Sequence, residues 1–190
     1  QLSLPYYLSY RSYFPENYEE RKTKLPIVFF LHGVGERGED LDLVEANGIP
    51  KLIKNGKNFP FITVAPQCPL FQWWSRTEMI KSLINLVEQI IQKYDVDQSR
   101  VYLTGLSMGG FGTIALANER PDLFAAALSV CGGADFDNFD NLKDLPLWLL
   151  HGSEDDTHPA SYSANIYDQL KDVNPEVKLT IYKGVDHNSW

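Results

Sequence analysis

The chain has 190 residues, which is the length of one domain and is sufficient to bury a sizeable hydrophobic core. Its hydrophobic content of 44% and charged content of 22% are typical of a soluble globular protein, and no apolar run approaches the ~20 residues that cross a bilayer. The net charge of -8 argues against nucleic acid or an anionic membrane as a partner, since both attract basic surfaces. The chain starts at Gln1, and whether it works in the cytoplasm or is secreted after removal of a leader is left open.

Seven segments of the sequence are predicted to be β-strands. Most of them are apolar almost throughout, which is typical of strands that are covered on both faces of a sheet. The first segment alternates more between polar and apolar residues, which indicates an edge strand. In chain order the segments are Tyr6–Phe14, Leu25–His32, Phe61–Pro66, Arg100–Gly105, Phe124–Gly133, Leu145–Gly152 and Val177–Tyr182.

Three helices are predicted between these strands, at Glu78–Tyr94, Ser107–Asn118 and Ala160–Val173. The first has apolar residues at intervals of three and four, which form one buried stripe, and Thr77 is its expected N-cap. Because strands and helices alternate, the fold class is α/β, with a mainly parallel sheet and helices on both faces. No linker or repeat divides the sequence, so residues 1–190 are expected to form a single domain.

One serine is surrounded by glycines where a predicted strand meets a predicted helix. The segment Gly105-Leu106-Ser107-Met108-Gly109 fits the pattern G-x-S-x-G, the nucleophile elbow. In such a tight turn, side chains two positions before and after the serine would collide, so both positions favour glycine. The N-terminus of the following helix points at the serine, and its dipole favours negative charge there. Ser107 is therefore predicted to be a nucleophile.

A serine nucleophile needs two partners, a histidine that takes its proton and a carboxylate that fixes the tautomer of that histidine. Loops at the carboxyl ends of parallel strands lie together, so both partners are expected there. The loop HGSEDDTHP offers Glu154, Asp155 and Asp156, and the loop KGVDHNSW offers His187. The order serine, acid, histidine along the chain is that of α/β-hydrolases.

The glycine-rich segment HGVGERGED, after the second predicted strand, is a candidate for an oxyanion hole. A tetrahedral intermediate carries a negative oxygen that needs backbone N–H donors. We assign this role to the backbone N–H groups of Val34 in this segment and of Met108 beside the nucleophile.

Together these motifs resemble the α/β-hydrolase superfamily, and within it the compact carboxylesterase/phospholipase-like branch, which includes predicted peptidases and feruloyl or acetyl-xylan esterase relatives. The resemblance rests on LHGVGERGED, APQCP followed by Trp73, GLSMGG, HGSEDDTHP and HNSW, and it extends from Leu31 to Trp190. The spacing that the resemblance carries over places the acid on Asp155, with Asp156 as the alternative.

The sequence departs from that branch at two points. His158 stands next to the acid loop where the branch usually has an aliphatic residue, and the sequence stops at Trp190, where relatives continue into a closing helix. If the natural protein has that helix, one face of the sheet lacks a cover in this chain.

Other side chains have both a functional and a structural interpretation. Trp73 and Trp74 are candidates for a substrate-binding wall, and the alternative is that at least one of them is core. Four residues of the acid loop are of metal-binding types, namely His151, Asp155, Asp156 and His158. No metal is predicted there, because His151 ends a strand and the HG pair is explained by tight packing.

The two cysteines, Cys68 and Cys131, are expected to be free thiols. In the usual hydrolase strand order, two strands separate the strands that precede them. At ~4.8 Å per strand the separation is roughly 14 Å, which exceeds the ~7 Å between Cα atoms that a disulfide allows.

The segment ADFDNFDNLKD after Gly133 is too short for a helical lid, so an open site is expected. The motifs and the resemblance predict a serine carboxylesterase without a cofactor, acting on small soluble esters or on esters attached to a polysaccharide. Two alternatives stay open: a small serine peptidase of the prolyl-oligopeptidase-like type, and a non-catalytic binding module on a hydrolase fold. The acyl group, the alcohol and the oligomeric state are not predicted.

Overall fold

A computed structural model describes residues 6–190, in which seven strands form one sheet. The strands are β1 (Tyr10–Tyr13), β2 (Leu25–Leu31), β3 (Ile62–Pro66), β4 (Val96–Leu106), β5 (Ala126–Val130), β6 (Leu147–Gly152) and β7 (Val177–Tyr182). Their order across the sheet is β1-β3-β2-β4-β5-β6-β7. β1 is an antiparallel edge strand beside β3, and the other neighbours are parallel, so the predicted edge strand and mainly parallel sheet are confirmed.

Four α-helices occur among the described residues. They are α1 (Gly48–Lys54), α2 (Thr77–Lys93), α3 (Met108–Glu119) and α4 (Ser161–Leu170). Short 3-10 helices lie at Tyr18–Glu20, Val34–Glu36, Leu41–Glu45, Pro121–Leu123 and Asp140–Leu142. None of the α-helices in residues 6–190 is both long and apolar enough to cross a membrane.

Two helix predictions differ from the structure. Helix α1 was not predicted, because its seven residues include Gly48 and Pro50 and are too few to display a repeating apolar stripe. The prediction of Thr77 as the N-cap of α2 is wrong: Arg76 occupies that position, with extended backbone and no side-chain capping bond, and Thr77 is the first helical residue.

Alternate side chains of the central strands enter two cores on opposite faces of the sheet. Ile27, Phe29 and Leu31 of β2 belong to a core that also contains buried residues of α2, α3 and α4, whereas Phe30 belongs to a smaller core on the other face. Helix α3 is buried almost all round, as a helix must be when it lies between a sheet and further structure.

The face opposite α3 carries an apolar groove of about 570 Å³. It runs along β4, β5 and β6 beside α1, and Tyr102, Leu128 and Trp148 are among its lining residues. The lining of the groove includes none of the predicted nucleophile, acid and base residues.

Candidate active site

Ser107 lies on a sharp bend between β4 and α3, with φ of 55° and ψ of -120°. A positive φ is uncommon for a residue other than glycine. The backbone N–H of Ser107 donates to the Val130 carbonyl at 2.9 Å, and this hydrogen bond helps to hold the conformation. A Cβ atom added at Gly105 or Gly109 would overlap backbone atoms, from Gly109 and Leu31 respectively. The glycines around the serine are therefore required by close approach of backbone segments.

The bend brings Ser107 against His187, which in turn contacts Asp155. The Oγ of Ser107 lies 2.9 Å from Nε2 of His187, and the Nδ1 of His187 lies 2.7 Å from Oδ2 of Asp155. Since a carboxylate only accepts, the geometry fits the tautomer in which Nδ1–H donates to Asp155 and Nε2 accepts from the Ser107 hydroxyl. The three residues follow β4, β6 and β7, at the edge of the sheet where the carboxyl ends of the strands meet.

Asp155 is the carboxylate of its loop that faces inward, while Glu154 and Asp156 are exposed. Its Oδ1 accepts the backbone N–H groups of Thr157 at 3.0 Å and His158 at 2.8 Å. Burial raises the pKa of Asp155, but the His158 N–H and the His187 imidazole outweigh it and hold that pKa below its usual value. Asp155 is therefore ionised at neutral pH.

His151 lies behind the Asp155 carboxylate and is completely buried. Its Nε2 is 2.7 Å from the His158 carbonyl oxygen and 3.2 Å from Oδ2 of Asp155, and its Nδ1 is 2.8 Å from the Ser163 hydroxyl. Both ring nitrogens have protein partners, so His151 supports the acid loop.

The glycine-rich loop after β2 runs directly beside the serine. The Cβ atom that Gly33 lacks would lie 3.8 Å from Cβ of Ser107. Val34 is the first residue of a 3-10 helix and Met108 the first residue of α3, and N–H groups in a first helical turn have no partner within the helix. The backbone of this loop is fixed by Nε2 of Gln67, which donates to the carbonyl oxygens of Glu36 and Asp40 at 2.9 Å and 2.7 Å.

The two candidate tryptophans have different surroundings. Trp74 is fully buried and its Nε1–H donates to the His32 carbonyl at 3.1 Å, so it is core and cannot form a wall of an open site. Trp73 is partly exposed and packs edge-on against Phe111, with ring centroids 6.4 Å apart. Trp74 is therefore structural, whereas the role of Trp73 in substrate binding stays a prediction.

Sequence reasoning missed the aromatic surroundings of the imidazole. The ring of His158 lies 5.0 Å from that of His187 and 5.1 Å from that of Phe111, and it stacks on Tyr162. Burial lowers the pKa of His158, which favours its neutral form. The signal available in the sequence was the unusual histidine at position 158, whereas Phe111 and Tyr162 lie on helices and carry no local motif.

One set of described residues has donor atoms close enough to hold a metal ion. These are Cys131, Asp155 and His187, whose ligand atoms lie within 4.8 Å of one another. Burial raises the pKa of the Cys131 thiol to about 12, so this thiol is protonated at neutral pH when no metal is bound. Asp155 and His187 already bind each other, so the geometry fits a hydrogen-bonded pair better than a metal centre.

Comparisons with known proteins place this fold among hydrolases. Residues 75–148 match the prolyl oligopeptidase family. The chain is 31% identical over 121 residues to poly(3-hydroxyalkanoate) depolymerase C of Paucimonas lemoignei. The matched region covers 57% of this chain and 28% of that protein. It is also 31% identical over 108 residues to acetylxylan esterase A of Aspergillus awamori. This matched region covers 54% of this chain and 35% of that protein.

A solved structure extends the comparison to nearly the whole chain. A thermostable esterase superposes with a TM-score of 0.78 at 33% sequence identity, covering 93% of this chain and 51% of that one. The chain thus spans about half of this esterase, and about a third or less of the two curated relatives. The sheet order, the strand-to-helix turn and these similarities together identify the chain as an esterase-like α/β-hydrolase.

Proposed function

We propose that the protein is a serine carboxylesterase whose catalytic residues are Ser107, His187 and Asp155. The observation that carries the proposal is the continuous hydrogen-bonded chain of 2.9 Å from Oγ to Nε2 and 2.7 Å from Nδ1 to Oδ2. A serine, an imidazole and a carboxylate in this order supply a nucleophile, a general base and a group that stabilises the imidazolium.

In the first half of the reaction, Oγ of Ser107 attacks the ester carbonyl carbon while Nε2 of His187 takes the hydroxyl proton. Asp155 is buried and ionised, so it stabilises the positive charge that forms on the imidazole. The backbone N–H groups of Val34 and Met108 donate to the oxyanion. When the tetrahedral intermediate collapses, the imidazolium returns its proton to the departing alcohol.

In the second half, water attacks the acyl-enzyme and His187 again acts as the base. Ser107 is released with its hydroxyl proton, and the carboxylic acid leaves. The rate is expected to fall as acid converts the imidazole to its cation, because the cation cannot accept a proton.

The surroundings of the site favour small esters or esters that protrude from a polymer. The connection between β5 and β6 contains one short 3-10 helix, Asp140–Leu142, in place of a lid. The similarity to an acetylxylan esterase supports a polysaccharide-linked ester as one substrate class. The partly exposed ring of Trp73, which packs edge-on against the buried ring of Phe111, offers an apolar wall to an acyl group.

The proposal is tested with acetyl, butyryl, octanoyl and feruloyl esters and with acetylated xylan. Wild type is expected to hydrolyse at least one of these, and Ser107→Ala is expected to lose turnover and labelling by a serine-directed phosphonate. Ser99→Ala, which changes an exposed serine near the start of β4, at the opposite end of that strand from the bend, is the matched control and should behave as wild type. Undiminished turnover by Ser107→Ala would refute the proposal, and so would a wild type that hydrolyses none of the esters.

A peptidase is the second candidate, because residues 75–148 match the prolyl oligopeptidase family. The same catalytic residues would then cleave an amide bond. Parallel assays on short peptide amides and on matched esters separate the two activities. Faster cleavage of the peptides at equal concentration would favour the peptidase, whereas failure of Ser107 to react with the phosphonate would favour a non-catalytic binding module.

A further inference from the structure

A hydrogen-bonded bridge connects the glycine-rich loop after β2 with the loop that carries the histidine. Nδ2 of Asn47 donates to Oε1 of Glu36 at 2.7 Å, and Nε1 of Trp190 donates to Oδ1 of Asn47 at 3.3 Å. Asn47 precedes α1, while Glu36 ends the 3-10 helix that begins at Val34. One asparagine therefore contacts both loops.

The chemistry of its two neighbours fixes how the Asn47 amide is oriented. An indole N–H only donates hydrogen bonds, so the amide must present its oxygen to Trp190 and its NH₂ group to the carboxyl group of Glu36. Glu36 is 6% exposed, so its carboxylate is not free to turn towards solvent. Asn47 is at the N-cap position of α1 but makes no side-chain capping bond, so its amide serves this bridge instead.

Trp190 carries the effect of the bridge to the imidazole. Its ring packs edge-on against the ring of His187, with centroids 5.6 Å apart and an interplanar angle of 88°. The side chain of His187 is 21% exposed, and the His158 ring packs against it at 5.0 Å. A tethered indole limits rotation of the imidazole and restricts the access of water to it.

We propose that Asn47 and Trp190 are positioning residues that hold the imidazole of His187 in line with Ser107. This inference rests on the proposed esterase function, in which His187 must keep one orientation while it takes a proton and returns it. Glu36 anchors the bridge at its other end. The bridge therefore fixes the position of the loop that carries the proposed oxyanion N–H relative to the loop that carries the base.

The test is a double-mutant cycle in the full chain. Trp190→Phe keeps a ring on the imidazole but removes the N–H, and Asn47→Ala removes the acceptor. Each single change is expected to lower kcat about fivefold with KM unchanged, the factor equivalent to about 1 kcal/mol. In the Trp190→Phe background, Asn47→Ala should cause no further loss, because the bond is already absent.

Asn55→Ala is the matched control, since Asn55 is exposed at the other end of α1 and should keep wild-type kcat. Equal losses on adding Asn47→Ala to wild type and to Trp190→Phe would overturn the inference, because the asparagine would then act through Glu36 alone. An unchanged kcat in Asn47→Ala would also overturn it.

A second measurement separates failure of this inference from failure of the esterase proposal. The proton shared by His187 and Asp155 can be observed by NMR, and its exchange with water requires no substrate. If wild type hydrolyses none of the esters, the esterase proposal fails, and the exchange rate still decides the role of Asn47. Positioning would be supported by exchange about fivefold faster than wild type in Asn47→Ala and in Trp190→Phe, and by exchange in the double variant that is no faster than in either single variant. An exchange rate equal to that of wild type would refute it.

Discussion

The substitution Gly109→Ala has two effects of opposite sign on the free energy of unfolding: alanine favours the helix, but its Cβ atom meets neighbouring backbone. Gly109 lies in the first turn of α3, two residues after Ser107. A Cβ atom there would lie 2.5 Å from the carbonyl carbon of Leu31 and 2.8 Å from the carbonyl oxygen of His32. Both atoms belong to the backbone at the end of β2, so neither can move by a change of rotamer.

Helix propensity alone predicts that alanine stabilises this helix by about 1 kcal/mol relative to glycine. Overpacking costs about 1–3 kcal/mol, and contact with two fixed carbonyl groups puts this site at the upper end. We therefore expect Gly109→Ala to lower the free energy of unfolding by about 2 kcal/mol. For a chain of this size the unfolding temperature should fall by about 4–8 °C.

Urea unfolding followed by circular dichroism measures the free energy, and a thermal scan measures the midpoint. Gly35→Ala is the matched control for stability, because a Cβ atom at Gly35 would meet nothing within 4 Å. Its midpoint should lie within about 2 °C of that of wild type. A Gly109→Ala protein as stable as wild type, or more stable, would show that helix propensity outweighs the contact with Leu31, and the steric account of the glycine-rich bend would be wrong.

Three further predictions concern the site and its surroundings. Asp155→Asn should lower kcat by about 10³–10⁴ because the imidazole loses the partner that fixes its tautomer, whereas Asp156→Asn should stay within about twofold of wild type in the same ester assay. Burial lowers the pKa of His32 to about 4, so between pH 6.5 and pH 4.5 the unfolded chain binds a proton that the folded one does not. The free energy of unfolding should therefore fall by about 2 kcal/mol over this interval, and urea titrations of His32→Gln should show a loss smaller by that amount; equal pH dependence would contradict the assignment. Burial raises the pKa of Cys68 and of Cys131 to about 12, so iodoacetamide at about pH 8 should label neither thiol in the folded protein and both in urea, as read by mass spectrometry; rapid labelling of the folded protein would contradict their burial.

Local patterns were sufficient to predict the seven strands and the longest helix. Segment Val177–Tyr182 has the bounds observed for β7, and α2 begins and ends one residue from the prediction. Strand β4 is longer at its start than predicted, because Val96 pairs with Leu25 across a register irregularity that lies outside the apolar run. Such pairings depend on a neighbouring strand, and one segment read alone cannot reveal them.

The burial of the two tryptophans could not be read from the sequence. Trp73 and Trp74 are adjacent and chemically identical, yet only Trp74 is enclosed, against His32 and the position where Gly112 lacks a side chain. Its burial depends on residues about 40 positions away in either direction along the chain. The sequence could therefore state that one of the pair was core but not which one.

The choice between two adjacent carboxylates shows why site geometry depends on a local turn. Oδ1 of Asp155 accepts the N–H groups two and three residues later, which turns its side chain inward and leaves Oδ2 for the imidazole of His187. Asp156 is one position further along the same turn, and its side chain is exposed. Composition and chain order are the same for both residues, so only the direction set by these two backbone bonds separates them. The Asp155→Asn variant leaves Asp156 in place, and we expect that Asp156 cannot replace the lost carboxylate. Activity close to that of wild type would mean that the turn can rotate to present either carboxylate.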